Sequence, residues 1–220
     1  MNLNLSKPIL YLITRGETVE TTTPANQEFQ DILRQVSAAV NAEVELIQLR
    51  EKLLTARVLF ELTERAADLT RGSSTRILVN DRADVAAGAG AHGVHLTTRS
   101  LSADVIRKNF GERFLIGVST HSLTEATSAR SQGASFAVFG PVFETSSKTR
   151  YGRPAGIEAL GQVSEAVKPF PILALGGISA ENAVECLRAG ASGIAGISLF
   201  SEASNLDATI ASIRATFKSI

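Results

Sequence analysis

The chain has 220 residues, 44% hydrophobic and 20% charged, and its 22 basic side chains balance 22 acidic ones. This neutrality argues against a nucleic-acid surface, although a small anion needs only a few converging cations and backbone N–H groups. Cys186 is the lone cysteine, which excludes an internal disulfide and predicts a buried thiol in a reducing compartment, and the absence of an apolar run of about 18 residues excludes a membrane helix.

The first apolar run, "ILYLIT" (9 to 14), is too short for the hydrophobic region of a signal peptide, so a cytoplasmic location is expected. Seven further runs follow: "VELIQLR" (44 to 50), "RILVND" (76 to 81), "GVHL" (93 to 96), "LIGVST" (115 to 120), "FAVFG" (136 to 140), "PILALGG" (171 to 177) and "GIAGIS" (193 to 198). Amphipathic segments lie between them. In "TARVLFELTERAADL", Val58, Leu59, Leu62, Ala66 and Leu69 share one helical face. Three joints, around Gly90, Gly133 and Gly190, repeat Gly-Ala, a polar residue and a short apolar run, as expected where a helix ends on a left-handed glycine and turns into a buried strand. Eight short strands alternating with helices predict a single (β/α)8 barrel domain, an α/β fold, over residues 1 to 220. The alternative, a doubly wound open sheet, lacks the G-x-G-x-x-G that a dinucleotide fold carries after its first strand.

In a barrel, active sites are built at the C-terminal strand ends and the loops that follow. Here those positions are polar: Thr14 and Arg15; Gln48, Arg50 and Lys52; Asn80 and Asp81; Thr97 to Arg99; Ser119, Thr120 and His121; Thr145, Ser147 and Lys148; Gly176 and Gly177; Ser198. Two long polar connections, 14 to 28 and 144 to 156, fall at the same end, and the second is a candidate lid. Gln48 and Arg50 share a strand face, with Lys52 next if the chain stays extended, and two cations at one mouth suit a phosphate or diphosphate. The competing reading pairs Arg50 and Lys52 with Glu51 or a neighbour in a solvated loop. Asp81 either holds Mg2+ or caps the next helix. The glycines after the seventh and eighth runs predict a phosphate site. His121, beside Ser119, is either a general acid–base or an exposed residue preceding a helix capped by Ser122 or Thr120. His92 belongs to a joint at the opposite end, and His95 reads as a satisfied core histidine.

Taken in order, "LYLIT", "QLREK", "VNDRADVA", "GAHGVHL", "IGVSTHSLTEA", "FGPVFETSSK", "LALGGI" and "AGASGIAGIS" resemble the thiamin phosphate synthase family, which includes the thiazole tautomerases. The resemblance implies a barrel that joins a hydroxymethylpyrimidine diphosphate to a thiazole phosphate, releasing diphosphate and forming thiamin phosphate. It implies that Gln48, Arg50, Lys52, Asn80, Thr145, Ser147 and Lys148 hold the diphosphate, bridged by Mg2+, with Asp81 as one metal ligand. Ser147 stands for a usual threonine and keeps the hydroxyl. Ser119 matches the residue beside the pyrimidine, and Gly177, Ile197 and Ser198 match the thiazole-phosphate site. The pattern departs after "GVHL", where Thr97, Thr98, Arg99 and Ser100 replace a Gly-Gln-Glu-Asp whose aspartate is the second metal ligand. The tautomerases also lack that motif and share "VFET"; for them a histidine matching His121 moves the proton, without Mg2+. The retained cations favour the synthase over the tautomerase, and a non-catalytic binder of thiazole or thiamin phosphate is the third reading. The implied partners are small phosphorylated substrates, with neither nucleic acid nor membrane; a homo-oligomer stays open.

Overall fold

A computed structural model describes residues 6–145, 153–201 and 206–217, without the side chain of Thr216. Eight parallel strands close into a barrel in sequence order: β1 (Ile9–Ile13), β2 (Leu46–Leu49), β3 (Arg76–Asn80), β4 (Gly93–Leu96), β5 (Leu115–Thr120), β6 (Phe136–Phe139), β7 (Ile172–Ala174) and β8 (Gly193–Gly196), which pairs with β1. The helices between them are α1 (Gln27–Asn41), α2 (Ala56–Leu69), α3 (Ala83–Gly88), α4 (Ala103–Phe110), α5 (Leu123–Ser131), α6 (Gly156–Ala166) and α7 (Ala183–Arg188); α8 (Leu206–Phe217) follows β8. No helix of the described residues is long and apolar enough to cross a membrane.

Each strand is apolar on both faces because each face meets a different core. One core lies between strands and helices and takes Leu10 and Leu12 of β1, Ile47 and Leu49 of β2, Ile77 and Val79 of β3. The other fills the barrel with the alternate residues: Ile9, Tyr11, Ile13, Leu46, Leu78, Leu115, Phe136, Val138, Leu173 and Ala195. This period of two decides which strand-end side chains look into the mouth: Gln48, Asn80, His95 and Ser119 continue the inward rows.

Gly90, Gly133 and Gly190 take φ of 75°, 81° and 98°, the left-handed conformation the three joints require. On α2 the buried face differs from the expected one. Leu59, Leu62, Thr63, Ala66 and Ala67 are buried, whereas Leu69 is 41% exposed. Val58 and Leu69 lie about 90–110° from the centre of that arc, beyond its rim. Thr63 enters it because its hydroxyl donates to the Leu59 carbonyl at 2.7 Å. The seventh strand is shorter than its apolar run because Leu175 and Gly176 turn their carbonyls to the backbone N–H groups of Val142 and Phe143.

Candidate functional site

The strand ends of β2 and β3 meet through side chains. Gln48 is buried, and its amide donates to the Asn80 side-chain oxygen at 3.0 Å, so neighbouring strands present one linked pair at the mouth. The pair fixes two amides whose remaining donors and acceptors are restricted in direction.

Beyond Gln48 the charges separate. Glu51 is buried and accepts hydrogen bonds from the Thr14 hydroxyl at 2.6 Å, the Gly16 N–H at 3.2 Å, and the Thr18 hydroxyl and N–H at 2.7 and 3.4 Å. Thr14 in turn accepts from the Arg50 N–H at 2.8 Å. The carboxylate therefore organises the β1–α1 connection and is not a partner of Arg50 or Lys52. Among the described residues neither cation, nor Arg99, forms an ion pair within 4 Å. The solvated-loop reading of "REK" is thereby corrected, because the acid between the two bases is consumed by hydroxyls and amides.

Partial burial, then the Arg50 charge, and then Arg99 push the Lys52 ammonium below its ordinary range, with Asp81 opposing them. These four groups share one field at the mouth, three positive and one negative. Asp81 follows β3 with φ 57°, and its N–H donates to the His95 carbonyl at 2.9 Å. A non-glycine residue held in this left-handed conformation costs on the order of 1 kcal/mol. It does not cap α3: the flanking residue is Arg82, with no side-chain cap, and Arg82 pairs with Asp84 at 2.7 Å.

After β4 the hydroxyls turn inward on their own loop. Ser100 Oγ accepts from the Thr97 N–H at 2.8 Å and lies 3.1 Å from Thr97 Oγ1, which accepts from the Arg99 N–H at 3.3 Å. Ser100 thus closes a turn, and Thr98 and Arg99 are exposed at this corner.

Ser119, at the end of β5, is half-buried, and the imidazole within its reach is that of His95, with Nε2 2.9 Å from the hydroxyl oxygen. The sequence places His121 next to it; the fold gives His121 another partner, as its Nδ1 donates to the Gly140 carbonyl at 2.5 Å and its N–H donates to Glu125 at 2.6 Å. Ser122 caps α5 by accepting from the Glu125 N–H at 3.2 Å. Thr145 is the last described residue of its loop, and Ser147, Lys148 and the rest of 146–152 lie outside the described residues.

Gly176 and Gly177, with φ of 103° and 64°, have a steric task that their reading as a phosphate cradle did not include. A Cβ at Gly176 would stand 2.6 Å from Pro141 Cα, and one at Gly177 2.3 Å from the Glu144 carbonyl oxygen. They let the β7 end pack against the loop after β6. The Asn182 amide also donates to the Gly177 carbonyl at 3.0 Å. Ile197 then leads from β8 into a single 3-10 turn, Ser198–Phe200, with Ser198 at its start.

Two groups escaped the reading of the sequence as site residues. Glu51 sits between two bases and reads as their counter-ion. His95 reads as core, which it is, yet it also touches Ser119; the one available signal was that its inward row at β4 adjoins the Ser119 row of β5.

The profile of the thiamine monophosphate synthase family matches residues 10–200. A Geobacter sulfurreducens protein is 46% identical over 169 residues, covering 77% of this chain and 79% of that one. The thiamine-phosphate synthase of Chlorobium luteolum is 36% identical over 208 residues, 94% of this chain and 92% of that one. Among solved structures, thiamine phosphate pyrophosphorylase from Pyrococcus furiosus superposes with a TM-score of 0.80 at 30% identity, covering 98% of both chains.

Proposed function

This chain belongs to the thiamine monophosphate synthase family, and on that premise we propose that it is a transferase of thiamin biosynthesis: it joins a hydroxymethylpyrimidine diphosphate to a thiazole phosphate, releases diphosphate and forms thiamin phosphate. The observation that carries the reading is the cluster of Arg50, Lys52 and Arg99 at one mouth, without ion-pair partners among the described residues and already repelling one another. Such a cluster is stabilised by a polyanion bound among its members.

The chemistry asked of the protein is mainly electrostatic. As the diphosphate leaves, a cation develops on the pyrimidine methylene carbon, and the thiazole nitrogen then attacks it. Arg50 and Lys52 hold the departing oxygens, with Lys148, Ser147 and Thr145 completing the clasp; the Gln48–Asn80 pair orients the same group. Ser119 faces the pyrimidine, and Gly177, Ile197 and Ser198 receive the thiazole phosphate, the last at the start of a 3-10 turn. In the alternative tautomerase reading, His121 would be the residue that moves the proton.

Asp81 fits Mg2+ as a single protein carboxylate, since this ion takes one or two carboxylates and otherwise waters and phosphate oxygens. Ser100, in the place of a second acid, spends its oxygen inside its own turn, and no group of three acidic, histidine or cysteine side chains suited to a metal occurs among the described residues. Asp81 would hold an ion that is otherwise bound by the diphosphate, and the ion would neutralise charge on the leaving group. A cytoplasmic location and small phosphorylated partners belong to the same proposal.

The test is incubation of the purified protein with both substrates and Mg2+. Thiamin phosphate and diphosphate are expected in equal amounts. Interconversion of thiazole tautomers without thiamin phosphate would overturn the synthase reading in favour of the tautomerase.

A further inference from the structure

Inside the barrel, below the cationic mouth, a chain of hydrogen bonds crosses three strands. Tyr11 of β1 and His95 of β4 are buried, with the phenol oxygen 3.1 Å from His95 Nδ1, and His95 Nε2 is 2.9 Å from the oxygen of Ser119. The rings are held by their neighbours. Phe136 meets Tyr11 edge-on, with centroids 5.4 Å apart, and lies 6.3 Å from the imidazole. Gly117 leaves the space they occupy, since a Cβ there would come within 2.5 Å of Phe136 Cζ and 2.7 Å of His95 Nδ1.

The chain has a direction. Burial pushes the Tyr11 phenol well above its ordinary range, so the group keeps its hydrogen. A buried O–H must donate, and its partner is His95 Nδ1. That nitrogen therefore carries a lone pair, the imidazole hydrogen sits on Nε2, and Nε2–H donates to the Ser119 oxygen. With its oxygen already accepting from inside the barrel, Ser119 has its own hydrogen to offer at the strand end, where the mouth begins.

We infer that Tyr11 and His95 are positioning residues that fix Ser119 as a hydrogen-bond donor toward the substrate, so that the ligand atom it meets is an acceptor and not an N–H. The inference rests on the proposed function for the identity of that substrate, but its core is a statement about one tautomer. A Ser119 hydroxyl free to rotate would offer either a lone pair or a hydrogen; the relay removes that choice before the substrate arrives, which is preorganisation in the sense that matters for rate.

The experiment is long-range proton–nitrogen correlation NMR on histidine-labelled full-length protein without substrate, followed by kinetics of Tyr11→Phe, Ser119→Ala and the double variant. The wild type is expected to show His95 with a bare Nδ1 and a protonated Nε2. Tyr11→Phe, which keeps the ring and removes the donor, should populate the other tautomer and lower kcat/KM by about tenfold. In the Ser119→Ala background the same change should cost less than about twofold, because the relay then has nothing to orient. An Nδ1-protonated His95 in the wild type, or equal losses in both backgrounds, overturns the inference. The wild-type spectrum decides even if Tyr11→Phe does not fold. A protein that makes no thiamin phosphate but shows the expected tautomer overturns the proposed function and not the relay.

Discussion

The two ends of the barrel use the same residue types in opposite ways. At the N-terminal end, arginines are engaged by backbone carbonyls: Arg107 donates to the carbonyls of Gly111 and Phe114 at 2.8 Å and of Gly133 at 2.9 Å, and to Ser135 at 3.2 Å. Arg76 donates to the carbonyls of Ser73 and Thr75, both at 3.0 Å, and Arg214 bridges the Glu43 carbonyl and the Glu45 carboxylate at 2.7 and 3.0 Å. At the C-terminal end, Arg50, Lys52 and Arg99 have no ion pair among the described residues, and partial burial, then the two arginine charges, lower the proton affinity of the lysine. A cation whose donors are spent on carbonyls holds loops together. A cation left in a field of like charge would be stabilised by a bound anion, which is the use we propose for this cluster.

That contrast can be broken at either end. The largest effect is expected for Lys52→Ala, which should reduce thiamin phosphate formation by about 10²–10³-fold without lowering the thermal midpoint, since it removes a repelled charge. In the wild type, activity should fall on the alkaline side earlier than an ordinary lysine would allow. Stability should move the other way: with the folded pKa lowered, the unfolded chain binds more protons over that interval, so unfolding free energy rises with pH. Steady-state rates and melts across an alkaline pH series measure both.

Glu51→Ala should damage both properties. It strands the Thr14, Gly16 and Thr18 donors at a buried site, costing about 3 kcal/mol, or roughly 6–12 °C in a chain of this size, and it loosens the backbone that carries Arg50. Melting curves and kcat/KM should fall together; a stable variant with lost activity would make Glu51 a substrate ligand. Arg107→Ala should do the reverse of Lys52→Ala. It uncaps three carbonyls in two loops for about 2–3 kcal/mol, with kcat/KM unchanged, and a loss of activity beyond the loss of folded protein would contradict the division between the two ends.

The smallest effect concerns His92. Burial, then Arg76, lowers it from 6.5 to about 4, in keeping with the Ile77 N–H donating to its Nδ1 at 3.1 Å. Between pH 6.5 and 4 the unfolded chain takes up a proton that the folded protein refuses, so stability falls as the pH falls through that window. His92→Asn, which keeps an acceptor for Ile77, should flatten that slope in denaturant titrations; an unchanged slope would assign the acid sensitivity to other groups.

Much of this molecule is local information. A strand of the barrel is a short apolar run bounded by a cap glycine and a helix, and all of these are written within about 40 residues. The eight runs, the three left-handed glycines and the row of strand-end cations were therefore legible. The helix face of α2 was less so, because which of two overlapping arcs is buried depends on the neighbour it packs against, and Leu69 lost that choice to Ala67. The partners of the site were not legible. Nothing in "QLREK" says that the glutamate belongs to Thr14, Gly16 and Thr18, and nothing in "GVSTHS" says that the histidine beside Ser119 in the chain is not the one bonded to it.

The amino-acid order by itself determined the alternation of elements and the polar, cationic character of the C-terminal strand ends, because periodicity and turn chemistry act over a few residues. Closing the barrel decided the rest. It set Tyr11 against His95, 84 positions apart, and His95 against Ser119, 24 apart, and it enclosed Glu51 within the first loop, where the Arg50 N–H joins the network through Thr14 but the charged groups of Arg50 and Lys52 form no ion pair with Glu51. The reason is geometric: a hydrogen bond needs two atoms within about 3 Å, and for residues on different strands only the register and curvature of the closed sheet bring them there.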